Sequence, residues 1–561
     1  MRQLQQRKDC WESKPVQITK KYLESRRYEM DAVFNNIKAD LQELADYFCP
    51  RAVRFLVDDI DKPLKRNKKI LDSTPLIAIR NFSSGMATGA TSPTLRWFKI
   101  NVRNKKLKKD YFVKKWCADV ENLLRDIFNS SPLYICLPDV YSQMGIFLFS
   151  ALAFEKDYEN VIHCKVLPMG SYRYAKDEKG RVNALVREYK ETARNILKKF
   201  GEKNCSHNVK EAAKNKPLAR FSIVHIVIPN PNHKINSPWS SDKKFLSVYY
   251  EVAGENEKFL EMGGFDIFPY VIFECKNNGE DTYPSDGPGI NALSDVRQLM
   301  SLVKEYAKAV KKIVSPAYKG PSALKNKRIS DVPGAFVEED DNGRGLSPIY
   351  EVNPRVLELK AEKDDTKQTI KEHFYNDLFA MILNTAERGR TATEVNELKE
   401  EKMVLLSPLL MQIYSSLRQI IEITFYYCIQ FNLVPEPPQQ LKGENMEIEF
   451  VSILAQALKA QNIASMERFT TFTINLANTI DPTLKYKING CQMIDDYADF
   501  ANIDPAQIQP TENVEAIKQQ IMEQEQTQQL LNQAAQGSEV IKNVGGADAF
   551  GGELMSRLGF A

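Results

Sequence analysis

Residues 384–395 read NTAERGRTATEV, a small polar loop in which Arg388 and Arg390 flank Gly389, set between two segments with helical apolar spacing. Thr391 and Glu394 form a T-x-x-E capping box, whose hydroxyl and carboxylate each satisfy an orphaned backbone N–H, so a new helix is predicted to start there. Upstream, Ile370, Phe374, Leu378 and Ile382 recur at steps of four and predict one helix from Asp364 to the loop. Downstream, a run rich in Leu, Ile, Phe and Tyr predicts a long helix to about Asn432. Pro408 removes an internal hydrogen bond from it, and PEPP at 435–438 stops it.

Further toward the N-terminus, Leu293, Val296, Met300, Val303, Ala307, Val310 and Val314 step by three and four, the apolar stripe of another long helix. Lys304, Lys308, Lys311 and Lys312 lie on its other side. Pro316 and Gly320-Pro321 end it, and a compact insert follows: LKNKRISDVPG, then AFVEEDDNGRGLSPIYEV with Asn342-Gly343 as a hairpin turn.

The residues before this pair of helices alternate helix and strand patterns. Helices are predicted over Lys20–Phe48 and Val113–Asn129, whereas Asn81–Thr91, rich in Gly, Ser and Ala, gives no clear pattern. Strands are predicted over 95–102, 161–174, 182–189, 219–229, 245–252, 258–262 and 269–275, with KDEKG at 176–180 turning a hairpin. The tail predicts mixed helix from Ile448 to about Phe500, then a Gln-rich helix over 512–536. The fold class is α+β and helix-rich.

Composition narrows the function. The 561 residues carry 76 Lys+Arg against 73 Asp+Glu, a formal +3, so nucleic-acid contact must be local rather than a property of the whole surface. Nine cysteines occur singly, without C-x-x-C, and are expected to be reduced thiols of a cytosolic product. The apolar run at 145–154 is too short for a membrane span. No G-x-x-x-x-G-K-[ST] phosphate loop is present. The five histidines form no metal-ligand pair, and the acidic run 338–341 lacks the alternation of a calcium loop, so no cofactor or metal is expected.

One enzyme reading competes. Asp266 followed by Glu274-Cys275-Lys276 mimics the D…E-x-K set of metal-dependent nucleases, where carboxylates hold Mg²⁺ and the lysine stabilises developing charge. A tail or scaffold protein without a DNA channel is the other alternative. It would share the helix content but would not need an arginine loop.

The order of elements resembles the portal proteins of tailed bacteriophages, and among them the head-to-tail connector of short-tailed phages. GMATGATSPTLRWFKINV, FPYVIFECKNNGEDTYPSDGPG and TATEVNELKEE carry the resemblance, which covers nearly the whole chain. It implies a non-enzymatic ring subunit, expected to be a dodecamer at one capsid vertex, through which double-stranded DNA enters and leaves. It implies a wing over 1–288, stem helices over 289–317 and 364–383, and a clip over 318–363. A channel loop over 384–391 and a long wing helix over 392–434 would follow, then an upper wing or crown base over 435–510 and a crown over 511–561.

Glu387, Arg388, Gly389 and Arg390 are then the expected DNA-channel loop, with one arginine per subunit becoming a ring of charge about the axis. Lys304, Lys308 and Lys311 are candidate channel-lining residues of the stem, a role their spacing does not distinguish from a solvated face. Lys325, Lys327 and Arg328 are candidate clip contacts. The implied partners are the terminase motor, a tail adaptor, the major capsid protein and scaffold or internal core proteins, and the implied place is the virion after assembly in the host cytoplasm.

Overall fold

The computed structural model describes residues 17–50, 69–104, 110–235, 237–254, 258–314, 318–319, 347–348, 356–383, 392–441, 446–479 and single positions or short runs elsewhere. The chain divides into two compact units, one of residues 1–104 and 116–458, the other of residues 105–115 and 459–561.

The first unit is built on two antiparallel sheets. The larger has five strands in sequence order: β4 (Tyr172–Lys176), β5 (Val182–Thr192), β6 (Arg220–Pro229), β7 (Phe245–Glu251) and β8 (Glu261–Phe265). Because strand side chains alternate, one face presents Val186, Val224, Ile226, Leu246, Val248 and Tyr250, and Leu23 and Met30 of helix α1 (Lys20–Phe48) join them in one core. The other face presents Ile223, which packs with Ala193, Ile196 and Phe200 of α5 (Ala193–Phe200) and Val209 of α6 (His207–Asn215). Thr192 and Ser206 cap these two helices by accepting from Asn195 N and Val209 N.

The smaller sheet is β3 (Val161–Val166), β2 (Phe149–Asp157) and β9 (Tyr270–Glu274), in that order. Beside it lie α2 (Thr74–Ala90), α3 (Tyr111–Ser130), α4 (Leu133–Phe147) and the long α10 (Ala392–Gln430), whose Ser416 Oγ donates to the Ile272 carbonyl of β9 at 3.0 Å. A two-stranded ribbon of β1 (Phe98–Val102) and β12 (Met446–Phe450) joins residues far apart in sequence, with Phe450 stacked 4.4 Å from Tyr414 of α10. Full burial of such side chains is worth roughly 1.5–3 kcal/mol each.

Two long elements leave this body. Helix α7 (Pro288–Val314) packs with α8 (Val356–His373), and between their far ends β10 (Tyr318–Lys319) pairs antiparallel with β11 (Ser347–Pro348). Helix α9 (Asn376–Leu383) follows α8. In the second unit, the middle of α11 (Ile453–Thr479) is tied by Tyr497 Oη donating to Glu467 Oε1 at 3.2 Å.

Several elements depart from the sequence reading. The helix expected to start at Asp364 starts at Val356, because the charged VLELKAEKDD segment makes a good exposed helix although it carries no apolar stripe. It is not continuous to residue 383. Tyr375 adopts φ 54° and breaks it, although Ile370, Phe374 and Leu378 are all buried as their spacing predicts. The run 161–174 is two strands of different sheets, divided at the turn where Ser171 N donates to the Pro168 carbonyl and Gly170 has φ 88°. The Gly/Ser/Ala-rich segment is helical because Gly85 and Gly89 sit against Phe379 and Leu454, where larger side chains would collide. Residues 446–450, assigned in part to helix, are a strand because β1 offers them a ladder. The Asn342-Gly343 turn lies outside the described residues.

Candidate functional site

The expected site residues fall in three groups. Glu387, Arg388, Gly389 and Arg390 lie outside the described residues, between α9 and α10, as do Lys325, Lys327 and Arg328 between β10 and β11. Lys304, Lys308 and Lys311 are described, and all three project into solvent from α7.

The α7–α8 pair is fixed at its base by close backbone contact. Gly289, in the first turn of α7, lies so near the Ile146 and Gly145 carbonyls that a Cβ there would collide with both. Gly287 is similarly pressed on Leu148 and Cys275, and Leu148 itself has φ 70° at the end of α4. Above this seat Leu293, Val296, Leu299 and Met300 are buried. The apolar stripe continues beyond Met300, but Ala307 and Val314 are exposed within a single chain.

Polar contacts then hold the pair together and to the body. His373 Nε2 lies 2.9 Å from Asp295 Oδ2, joining α8 to α7. Arg297 makes a two-pronged contact with Glu43 of α1, its Nε donating to Oε1 at 2.9 Å. Lys367 donates to Asp72 at 2.8 Å. Burial alone would raise the Asp72 carboxyl, but the bonds from Lys367 and from Thr74 outweigh it and hold the group below its ordinary value. Farther out, Lys363 sits 4.5 Å from the Tyr306 ring centre. As positions rise along α7 from 295 to 306, their partners fall along α8 from 373 to 363, so the two helices are antiparallel.

Of the three lysines, Lys308 donates to Glu305 at 2.8 Å, and this bond with Lys308 lowers the Glu305 carboxyl. Part of the positive charge on this face is therefore matched by a carboxylate one turn away. Sequence spacing found the α7 stripe but not Arg297–Glu43, Lys367–Asp72 or His373–Asp295, whose partners are 78 or more positions apart and follow no local pattern.

The nuclease-like set is not assembled. Glu274 Oε1 accepts from Tyr174 Oη at 2.5 Å and from Lys176 Nζ at 3.0 Å. Asp266 Oδ2 accepts from Lys243 Nζ at 2.6 Å and Tyr426 Oη at 2.5 Å, while Lys276 faces Asp286 at 3.8 Å. Burial raises and these donors lower the Asp266 carboxyl, which ends below its ordinary value as an ion-paired strut. Each of the three residues thus ties down a different strand or turn. Among the described residues no group of three or more His, Cys, Asp or Glu could hold a metal ion. None of the described helices is long and apolar enough to cross a membrane.

Comparison with known proteins gives the family. The chain is 34% identical over 513 residues to the portal protein of Salmonella phage epsilon15, covering 90% of this chain and 92% of that one. It is 32% identical over 536 residues to the probable portal protein of Bordetella phage BPP-1, covering 95% and 96%. A chain from the virion of a native gene transfer agent particle aligns over 77% of this chain and 89% of its own with a TM-score of 0.37 at 9% identity. The family described as bacteriophage head to tail connecting protein matches residues 20–508, and the protein belongs to that family.

Proposed function

We propose that the protein is the repeating subunit of a closed portal ring at one capsid vertex, the conduit for double-stranded DNA in packaging and ejection. The observation that carries this reading is the antiparallel α7–α8 pair. It is seated on the body at Gly289 and bound to it by the Arg297–Glu43 and Lys367–Asp72 ion pairs, and its apolar stripe outruns the cover a single chain provides. In a ring, neighbouring copies supply that cover, as cyclic symmetry repeats one heterologous contact around the axis.

In this reading α7 and α8 with α9 are the stem, the segment carrying β10 and β11 is the clip, and α10 is the wing helix. The loop 384–391 is the channel collar, and the chain from 435 onward forms the upper wing and crown. Arg388 and Arg390 touch DNA, while Glu387 limits their pull and Gly389 lets the loop move. Lys304, Lys308 and Lys311 face the axis, with Glu305 tempering the attraction. A channel densely lined with unpaired lysine would hold a duplex bearing about one phosphate charge per 1.7 Å and slow its passage. The clip, through Lys325, Lys327 and Arg328, meets the terminase motor and later a tail adaptor. The wing meets the major capsid protein, and the crown meets scaffold or internal core proteins. Assembly takes place in the host cytoplasm.

Electron-microscopy class averages of the purified protein test this reading. The expected result is a ring, twelvefold on the family's pattern, with an axial hole that admits duplex DNA. Monomers, dimers or rings closed on the axis in every class would overturn it.

A further inference from the structure

We propose that α5 and α6 carry a second DNA contact, a sequence-independent phosphate-binding face separate from the axial channel. Residues 194–220 hold eight Lys or Arg against two Glu, a formal +6, which leaves the remainder of the +3 chain at −3. The excess lies on one pair of short helices rather than being spread over the surface. Arg194, Lys198, Lys203, Lys214 and Lys216 are exposed and Lys210 is half-buried.

Three of the four carboxylates near this face have other partners, and the fourth, Glu202, is exposed in the connection between the helices. Glu211 lies 4.0 Å from His207, Glu191 accepts from Asn195 Nδ2 at 2.8 Å, and Glu251 accepts from Ser206 N at 3.1 Å. None of the six cations forms an ion pair with a carboxylate among the described residues. Cations complement the negative end of a helix, and this accounts for Lys198 and Lys214 in the last turns of α5 and α6. It does not account for Lys203 in the connection, or for Lys210 one turn from the N-terminus of α6, where a cation is disfavoured.

The sheet behind the helices adds Arg187 of β5, which lies 4.5 Å from the Tyr189 ring centre, and Lys199 of α5 lies 4.7 Å from that of Tyr249. The frame is rigid, because Ala193, Ile196, Cys205 and Val209 are fully buried between the helices and the sheet.

The chemistry of this face favours nucleic acid over an acidic protein. Lysine is depleted in the desolvated core of protein interfaces, which are anchored by aromatic and other apolar residues, and among large apolar side chains only Leu218 is exposed here. Phosphate contacts, in contrast, need only cations that displace condensed counterions. Most of the charge on this face is lysine, a point charge on a flexible stem, so binding is expected to rest on phosphates rather than on base edges.

The test uses the full-length protein in its native assembly and a fluorescein-labelled blunt duplex, with anisotropy measured between about 50 and about 200 mM salt. The variant carries Lys198→Glu, Lys203→Glu, Lys214→Glu and Lys216→Glu. We expect duplex affinity to fall at least tenfold at the lowest salt, and the slope of log affinity against log salt to become shallower by about 3 to 4, near 0.9 per lost phosphate contact. The matching four Lys→Arg changes should preserve both. If the glutamate variant does not assemble, four Lys→Gln changes give the same readout with a smaller effect. An unchanged slope, with all duplex binding lost instead on Arg388→Ala and Arg390→Ala, would overturn the proposal and leave the channel reading standing. Charge-matched polyglutamate competing as well as unlabelled duplex would also overturn it, assigning the face to an acidic protein.

Discussion

Replacing Gly289 by alanine tests whether the seat of α7 is as close as the structure has it. A Cβ at this position would stand 2.8 Å from the Gly145 carbonyl oxygen and nearer still to that of Ile146. Both obstacles are backbone, at the junction where α4 turns through Leu148 into β2, and β2 is the central strand of the smaller sheet. Neither can retreat without moving the sheet, so α7 must lift by roughly 1 Å, an overpacking that costs about 1–3 kcal/mol. Alanine's better helix propensity returns at most about 1 kcal/mol, leaving a net loss of up to about 3 kcal/mol by these two estimates.

The displacement also has a lever. With a rise of 1.5 Å per residue, Gly289 is about 15 Å from the buried Leu299, and Val314 is about 22 Å beyond it. A shift of about 1 Å at the base, pivoting at Leu299, then moves the far end of α7 by about 1.5 Å the opposite way. Urea unfolding followed by emission of the buried Trp97 and Trp116 should show a lower midpoint for Gly289→Ala, and the fraction of closed rings should fall. Gly180→Ala separates collision from backbone strain, since Gly180 has φ 73° but open space around it. A Gly289→Ala protein more stable than the parent, with its fraction of closed rings unchanged, would refute the close seat and the lever drawn from it.

Three further outcomes are expected. Phe374, fully buried at the end of α8 with its ring edge-on to Phe48 and Phe82, should lose about 3–5 kcal/mol on Phe374→Ala, measured as a shift in chemical unfolding. The Asp72 carboxyl is held below its ordinary value of 3.8 in the fold, so its stabilising contribution is present above that value and is lost as pH falls through the lower, folded one. Lys367→Gln should therefore flatten the acid limb of the stability–pH curve, and an unchanged limb would show that Lys367 does not hold Asp72 down. Arg388→Ala with Arg390→Ala should reduce retention of packaged DNA while leaving ring formation intact, and full retention would remove the loop arginines from the channel reading.

Much of the architecture is legible in local pattern, for a physical reason. Helices α1 and α7 bury one face, and a one-sided burial writes its period into the sequence, as at Leu293, Val296 and Met300. Where both sides are buried, as in the FSALAF run of β2, or where neither is, as in the first turns of α8, the period disappears and the element is missed or begun late. The break at Tyr375 left no mark either, because Ile370, Phe374 and Leu378 remain buried on both sides of it.

What the sequence by itself determined was the apolar stripe of α7, the start of a long helix next to Thr391 and, through resemblance, the family. The tertiary structure alone decided that β12 pairs with β1 across more than three hundred residues, and that Arg297 reaches Glu43 and Lys367 reaches Asp72. It also set Asp266 against Lys243 and Glu274 against Lys176. Those outcomes depend on which surfaces the fold brings within a few ångströms. Coulomb attraction and hydrogen bonding act at that range without regard to sequence separation, so no local spacing encodes them.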